Sequence, residues 1–323
     1  MAKCELNIIP YNEVYYANCF YVCFFAAVKY LNGSILSYFA NDHFTYRIEP
    51  TAEGLTLKLN LLQEIPFPEM AENNNILLDI RYDYFEDIVD RVMDTILKGN
   101  VVVLPVDGFY YKHRYHDLFF QKEHHNQIAL IYGFDSEKKI FKVFEVNGFG
   151  CTTNNFCYTT EISFQNLIIC HEGIINYKPN IPTLTILSNI NPDKKINEDP
   201  PSCKNSLIKN MKLHRSEIIK SLQDICLLSD SIDKFDINTV EVFNNKVASM
   251  SNLYRIKSIL GDEYNLESLQ EDIIKNWAVI EATIIKNERR KVKDNSEFLP
   301  RLNKLFKQES MFYEELFSLF DKI

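Results

Sequence analysis

The chain has 323 residues, 46% of them hydrophobic, and a formal charge of -9. That length holds one large or two ordinary domains with a proper core, and the acidic balance argues against a general nucleic-acid binder. Eight scattered cysteines without a CxxC pair are unlike a secreted disulfide scaffold. No apolar stretch reaches the roughly 18 residues of a membrane span, and the N-terminus lacks a signal peptide's basic leader and cleavage site, so a reduced, cytoplasmic protein is the expectation.

The first clear element is the run from Cys19 to Leu31, which follows Asn18 and stops at Asn32-Gly33. Asn is a good N-cap and Gly a good C′ residue, so the run predicts a helix. It is apolar on almost every side, which predicts burial. Helical periodicity returns over Tyr84 to Lys98, with Gly99 as the stop. Val101 to Val106 and Ile128 to Tyr132 are short, apolar and rich in β-branched residues, as buried strands are. Phe134 to Lys139 contains a polar turn, and Ile140 to Asn147 alternates as an antiparallel return strand would. A short helix over Phe164 to His171 and a strand over Thr183 to Ile190 complete a mixed α/β region.

Asn191 to Ser202 carries Pro192, Pro200 and Pro201 among polar residues and is the best linker. Beyond it, Leu207–Leu228, Val240–Leu260, Leu266–Lys286 and Phe298–Phe320 repeat apolar residues every three or four positions. That pattern predicts an antiparallel helical bundle. The expected division is a first domain over 1–192 and a helical domain over 203–323.

Cys19 is the most informative residue. A thiol at the first turn of a helix meets unpaired backbone N–H groups and the positive end of the dipole, which favours the nucleophilic thiolate. Such a nucleophile needs a base, and the base needs an orienting group. His124 and His125 stand just before one strand, and Glu145 and Asn147 lie on one side of its return strand. If the two strands pair, His125 meets Glu145 or Asn147, giving the order Cys–His–Glu or Cys–His–Asn. Backbone N–H groups of Cys19 and Phe20, with Asn12 or Asn18, are candidates for an oxyanion hole. His113-x-x-His116 and His124-His125 raise zinc as a question, but the aromatic crowding of that stretch suits a pocket lid better, and neither metal nor cofactor is expected.

These motifs together resemble a known family. Asn18-Cys19 and its apolar helix, Val101–Val106 followed by Asp107-Gly108-Phe109-Tyr110-Tyr111, and His124-His125 before Ile128–Tyr132-Gly133-Phe134-Asp135 are similar to the N-terminal domain of butirosin biosynthesis protein H. That family is itself similar to C39-type, papain-like cysteine peptidases. The resemblance covers about residues 10–190. It implies an α+β papain-like fold, a helix packed on an antiparallel sheet, ahead of the helical bundle. It implies Cys-dependent acyl transfer from an acyl carrier protein thioester, or another small acyl donor, to an amine, in specialised-metabolite biosynthesis. Cys19 matches the nucleophile and Glu145 the family's Asp, while Asp107, Tyr110 and Tyr111 match the segment that shapes the pocket; His124 is assigned to the pocket too, and the sequence leaves open which of His124 and His125 points inward as the base. One position departs from the pattern. The family's His stands six residues before the turn glycine, and Gln127 occupies that place, with His125 two residues earlier. The competing readings are a cysteine peptidase or amide or thioester hydrolase of the same fold, and a binding protein that has lost its base. Partners expected are the acyl donor and amine acceptor, with no nucleic acid or membrane, and a homodimer through the helical domain.

Overall fold

The computed structural model describes residues 2–51, 54–112, 119–146, 156–194, 196, 199–228, 239–261, 266–290 and 299–323. They form two compact units: Met1–Ile35 with Phe67–Asn197, and Leu36–Pro66 with Glu198–Ile323. This differs from a single cut near 192–203, because residues 36–66 belong with the C-terminal helices.

The first unit is built on a seven-stranded sheet in which every paired neighbour is antiparallel. Its strands are β1 (Lys3–Glu5), β4 (Ile76–Arg81), β5 (Val101–Asp107), β6 (Asn126–Asp135), β7 (Ile140–Val146), β8 (Cys157–Ser163) and β9 (Leu184–Asn189). The order is β4-β9-β5-β6-β7-β8, with β1 taking over the β5 side of β6 beyond Ile131. Gly133 permits this close approach, since a Cβ there would lie 2.9 Å from the Cys4 carbonyl oxygen. The β6–β7 hairpin follows the expected turn: the Asp135 carboxylate accepts from Glu137 and Lys138 N–H (both 3.1 Å), and Lys139 takes φ 55°.

Helix α1 (Cys19–Tyr30) packs on β5, β6 and β7, and Tyr21 to Val28 are all buried. Burial on every side, rather than an apolar stripe, is what its sequence predicts. Its stop differs in detail: Asn32 takes the left-handed conformation (φ 57°), not Gly33. Gly33 serves packing instead, because a Cβ would fall 2.9 Å from Val28 Cγ1 and 3.2 Å from Ile76 Cδ1. Helix α3 (Phe67–Asn73) packs by β4, and α4 (Ile88–Leu97) and α5 (Phe164–Tyr177) pack together by β5. The α5 helix runs six residues past the expected His171, because Ile174 and Gly173 continue its buried side.

The second unit holds α2 (Ile35–Asn41), the hairpin of β2 (Asp42–Thr51) and β3 (Gly54–Gln63), and helices α6 (Pro200–Leu213), α7 (Arg215–Leu228), α8 (Thr239–Leu260), α9 (Glu267–Arg290) and α10 (Leu299–Phe320). The expected linker is shorter than its prolines suggest: Pro200 and Pro201 open α6, where the missing N–H costs nothing. His214 ends α6, so the single helix expected over 207–228 is two. The hairpin is docked by α8. The Asn252 amide accepts from Phe44 N–H (3.1 Å) and donates to Phe44 O (2.8 Å), as a neighbouring strand would. Buried Arg255 donates to Phe39 O (2.9 Å), Asn252 Oδ1 (3.1 Å) and His43 Nδ1. Buried Glu309 collects Tyr46 O–H (2.9 Å), Ser249 O–H (2.6 Å) and Trp277 N–H (3.0 Å). No helix of the described residues is long and apolar enough to cross a membrane.

Candidate functional site

Cys19 opens α1, as its sequence predicts. The Asn18 side-chain oxygen accepts from Phe20 N–H (2.9 Å) and Tyr21 N–H (3.3 Å), closing two of the helix's orphan donors. Asn18 is therefore a cap rather than an oxyanion donor. Backbone N–H groups of Ile128, Cys19 and Phe20 act on the thiol and lower its pKa, but burial outweighs them and pushes it up to about 11. The expectation that the helix end favours the resting thiolate is corrected here: removal from water costs the anion more than three amides return. Cys23, one turn on, is likewise raised by burial, with Cys157 and Cys19 adding to it.

Asn12 has another task as well. Its side chain accepts from Phe156 N–H (3.0 Å) and Cys157 N–H (2.8 Å) and donates to Cys157 O (3.1 Å), pinning the chain before α1 to the start of β8. An amide with both ends committed is not an oxyanion donor.

A carboxylate–imidazole pair, Asp107 with His124, stands beside α5. His124 Nδ1 lies 2.6 Å from Asp107 Oδ2. Asp107 is fully buried at the end of β5, and its Oδ1 accepts from Phe109 N–H (3.0 Å) and His125 N–H (3.3 Å). A carboxylate only accepts, so Nδ1 carries the hydrogen and Nε2 is the basic nitrogen. The His124 ring is stacked between Phe109 (4.6 Å) and Tyr177 (5.5 Å), with Tyr110 at its edge (5.9 Å). Helix α5 comes close because residue 173 is glycine: a Cβ there would sit 2.6 Å from the Tyr110 ring and 2.8 Å from Asp107 Oδ2. Asp107 also helps raise the buried Cys170 thiol to about 12, behind burial itself.

His125 is placed differently from the expected base. Its ring lies flat on Phe119, 3.8 Å between centroids and 6° between planes, and its carbonyl accepts from Gly108 N–H (2.7 Å). Glu145 pairs with Ala129 and Val146 with Cys157, so Glu145 and Cys157 point to opposite faces of the sheet. Cys157 is on the face of α1, since it acts on Cys23. Glu145 is on the other, where it and burial raise Tyr111 beside Cys170 of α5. Glu145 is thus buried on the far side of the sheet from Cys19. Gln127 shares that far face, buried, with its Oε1 lacking a partner among the described residues. Asn147, His113 and His116 lie outside the described residues.

The sequence places Asp107 and His124 in the pocket and leaves His124 open beside His125 as the base, without pairing it to Asp107. The signal was available: Asp107 ends one strand and His124 precedes its neighbour, so antiparallel pairing brings the two ends together. Among the described residues no cluster of three or more His, Cys, Asp or Glu side chains could hold a metal ion, and no disulfide joins two of the described cysteines. A cleft of about 570 Å³ in the second unit, lined by Tyr46, Arg47, Glu217 and Lys220 among others, contains none of these residues. No protein-family model and no curated protein matches the chain.

Proposed function

We propose that the first unit is a thiol-dependent acyl-transfer domain of papain-like type, with Cys19 as the acyl acceptor and Asp107–His124 as its proton-handling pair. The observation that carries this reading is the place of Cys19 as the first residue of α1, where the backbone N–H groups of Ile128 and Cys19 act on its sulfur and Phe20 N–H is shared with the Asn18 cap. Donors so placed stabilise an anion on sulfur or on an adjacent carbonyl oxygen. Cys19 and His124 belong to the same end of the sheet, since Ile128 is the third residue of β6 and His124 stands two residues before its first, but Cys19 opens α1 while Asp107 and His124 lie against Gly173 and Tyr177 of α5, so the proposed proton transfer passes around the end of β6. The motif order shared with the butirosin protein H type of domain points to a thioester donor and an amine acceptor.

The high thiol pKa sets the course of the step. Proton loss accompanies attack: His124 Nε2 takes the thiol proton as sulfur bonds to the acyl carbon, and the donor thiolate leaves with that proton. The amine then attacks the acyl-Cys19 thioester, the amide forms, and sulfur regains a proton. Asp107 fixes the imidazole tautomer and ring orientation.

A second reading has an observation of its own. A neutral, half-buried thiol and a glutamine at the position of the family's histidine suit a ligand-binding domain without turnover. Incubation with an acyl N-acetylcysteamine thioester, followed by intact-mass measurement, separates the two. Acylation of wild type, its loss in Cys19→Ala and its slowing in His124→Ala support the enzyme. An unmodified wild-type protein between pH 7 and 9 sinks that reading and leaves the binding domain.

A further inference from the structure

The edge strand β4 carries the strongest unassigned feature. Its ladder to β9 is phased by the bond from Ile190 N–H to Asn75 O (2.9 Å). Bonded positions alternate in an antiparallel pair, so Leu77, Asp79 and Arg81 direct their N–H and C=O to β9. Leu78 and Ile80 direct theirs to the open side, where neither has a backbone partner among the described residues. Leu77, Ile80 and Tyr82 are exposed along this edge, and Ile190 beside it. Natural edges are blunted by charged side chains, especially lysine, by proline or by a bulge; Ile-Leu-Leu-Asp-Ile-Arg has no lysine, proline or bulge, and its two charges, Asp79 and Arg81, are of opposite sign and pair with each other.

We propose that β4 is a dimerisation strand, pairing antiparallel with β4 of a second copy about a two-fold axis through Ile80. Open-side residues must meet open-side residues, so the axis passes through a residue rather than between two. Centred on Asp79, it would oppose two carboxylates. Centred on Leu78, it would set Asp79 against leucine and Arg81 against asparagine. Centred on Ile80, it joins Ile80 to the partner's Ile80 and Leu78 to the partner's Tyr82 as bonded pairs. Asp79 then faces the partner's Arg81, and Arg81 the partner's Asp79, at the non-bonded positions where side chains lie closest. Within one chain Asp79 and Arg81 already form an ion pair (2.7 Å). Two such pairs merge into an alternating quartet across the axis, beside a continuous apolar face of Ile80, Leu78 and Tyr82.

Sedimentation velocity over about 1–100 µM, the range suited to a small interface, tests this. Wild type is expected to dimerise. Ile80→Pro removes an outward N–H while sparing the β9 ladder, and should weaken the dimer at least tenfold. Asp79→Arg and Arg81→Asp should each weaken it, and the double exchange should restore it. Circular dichroism melts confirm that each variant is folded. If Ile80→Pro does not fold, the charge exchange alone decides. A monomeric wild type across the range, or a dimer indifferent to these changes, overturns the proposal.

Discussion

Replacing Gly173 by alanine should destabilise the first unit, against the usual trend for helices. In an ordinary helix interior Gly→Ala stabilises by about 0.8–1.0 kcal/mol, because glycine loses more backbone freedom. Here the new methyl would lie 2.6 Å from two atoms of the Tyr110 ring and 2.8 Å from Asp107 Oδ2. Ordinary carbon contacts are about 3.5–4.0 Å, so roughly an ångström must be found. Tyr110 is partly exposed and its ring can swing away. Asp107 cannot follow so easily, being fully buried and tied to Phe109, His125 and His124. Overpacking of this kind costs about 1–3 kcal/mol, enough to reverse the helix gain. Urea unfolding of Gly173→Ala and of Gly173→Ala with Tyr110→Ala would measure it. The single variant should be less stable than wild type, and the second change should return part of the loss relative to Tyr110→Ala alone. A stabilised Gly173→Ala refutes the claim that α5 sits on this carboxylate.

Three other outcomes are expected. Iodoacetamide alkylation of Cys19 in the resting protein should rise about tenfold per pH unit from pH 7 to 10, since a thiol near 11 is roughly one part in a thousand thiolate at pH 8; a plateau below pH 8 would contradict the burial assigned to it. His171, fully buried and stacked by Tyr84 at 5.8 Å, is held neutral with a pKa lowered to about 4 by burial. Unfolded histidine takes its proton near 6.5, so stability is full above about 6.5 and falls as pH drops toward 4, by on the order of 2 kcal/mol after allowance for partial screening; His171→Phe should flatten that acid slope in urea titrations, and an unchanged slope counts against it. Glu309→Ala should cost the second unit about 3 kcal/mol or more by stranding the buried donors of Tyr46, Ser249 and Trp277, and a loss under about 1 kcal/mol in calorimetry would show that the network is dispensable.

What the sequence made visible follows the strength of local signals. The α1 helix, the strands β5, β6, β7 and β9, and α8 to α10 all show through periodicity, caps and turn residues. The 34–83 region does not, because β2 and β3 mix polar and apolar residues on an edge-like hairpin whose burial is decided by α8, far along the chain. Pro200-Pro201 misleads in the opposite direction, since the same residues that mark a loop also suit a helix's first turn. In the site, Cys19 and its cap are local and legible. The histidine that meets Asp107 is not, because His124 and His125 are neighbours and only the Asp107 turn selects between them. Glu145 was paired to the histidines by strand order alone, and alternation of side chains across the sheet sends it to the face opposite α1.

Residues 36–66 depend on partners that begin at residue 198. During synthesis the hairpin emerges from the ribosome well before its helices. At translation rates of about 5–20 residues per second, that gap lasts on the order of ten seconds. For that interval Phe44 and Tyr46, buried in the finished protein, have only α2 and the hairpin itself from their own unit to lie against. The order of synthesis therefore leaves these side chains uncovered by the C-terminal helices until the chain from Glu198 onward has emerged.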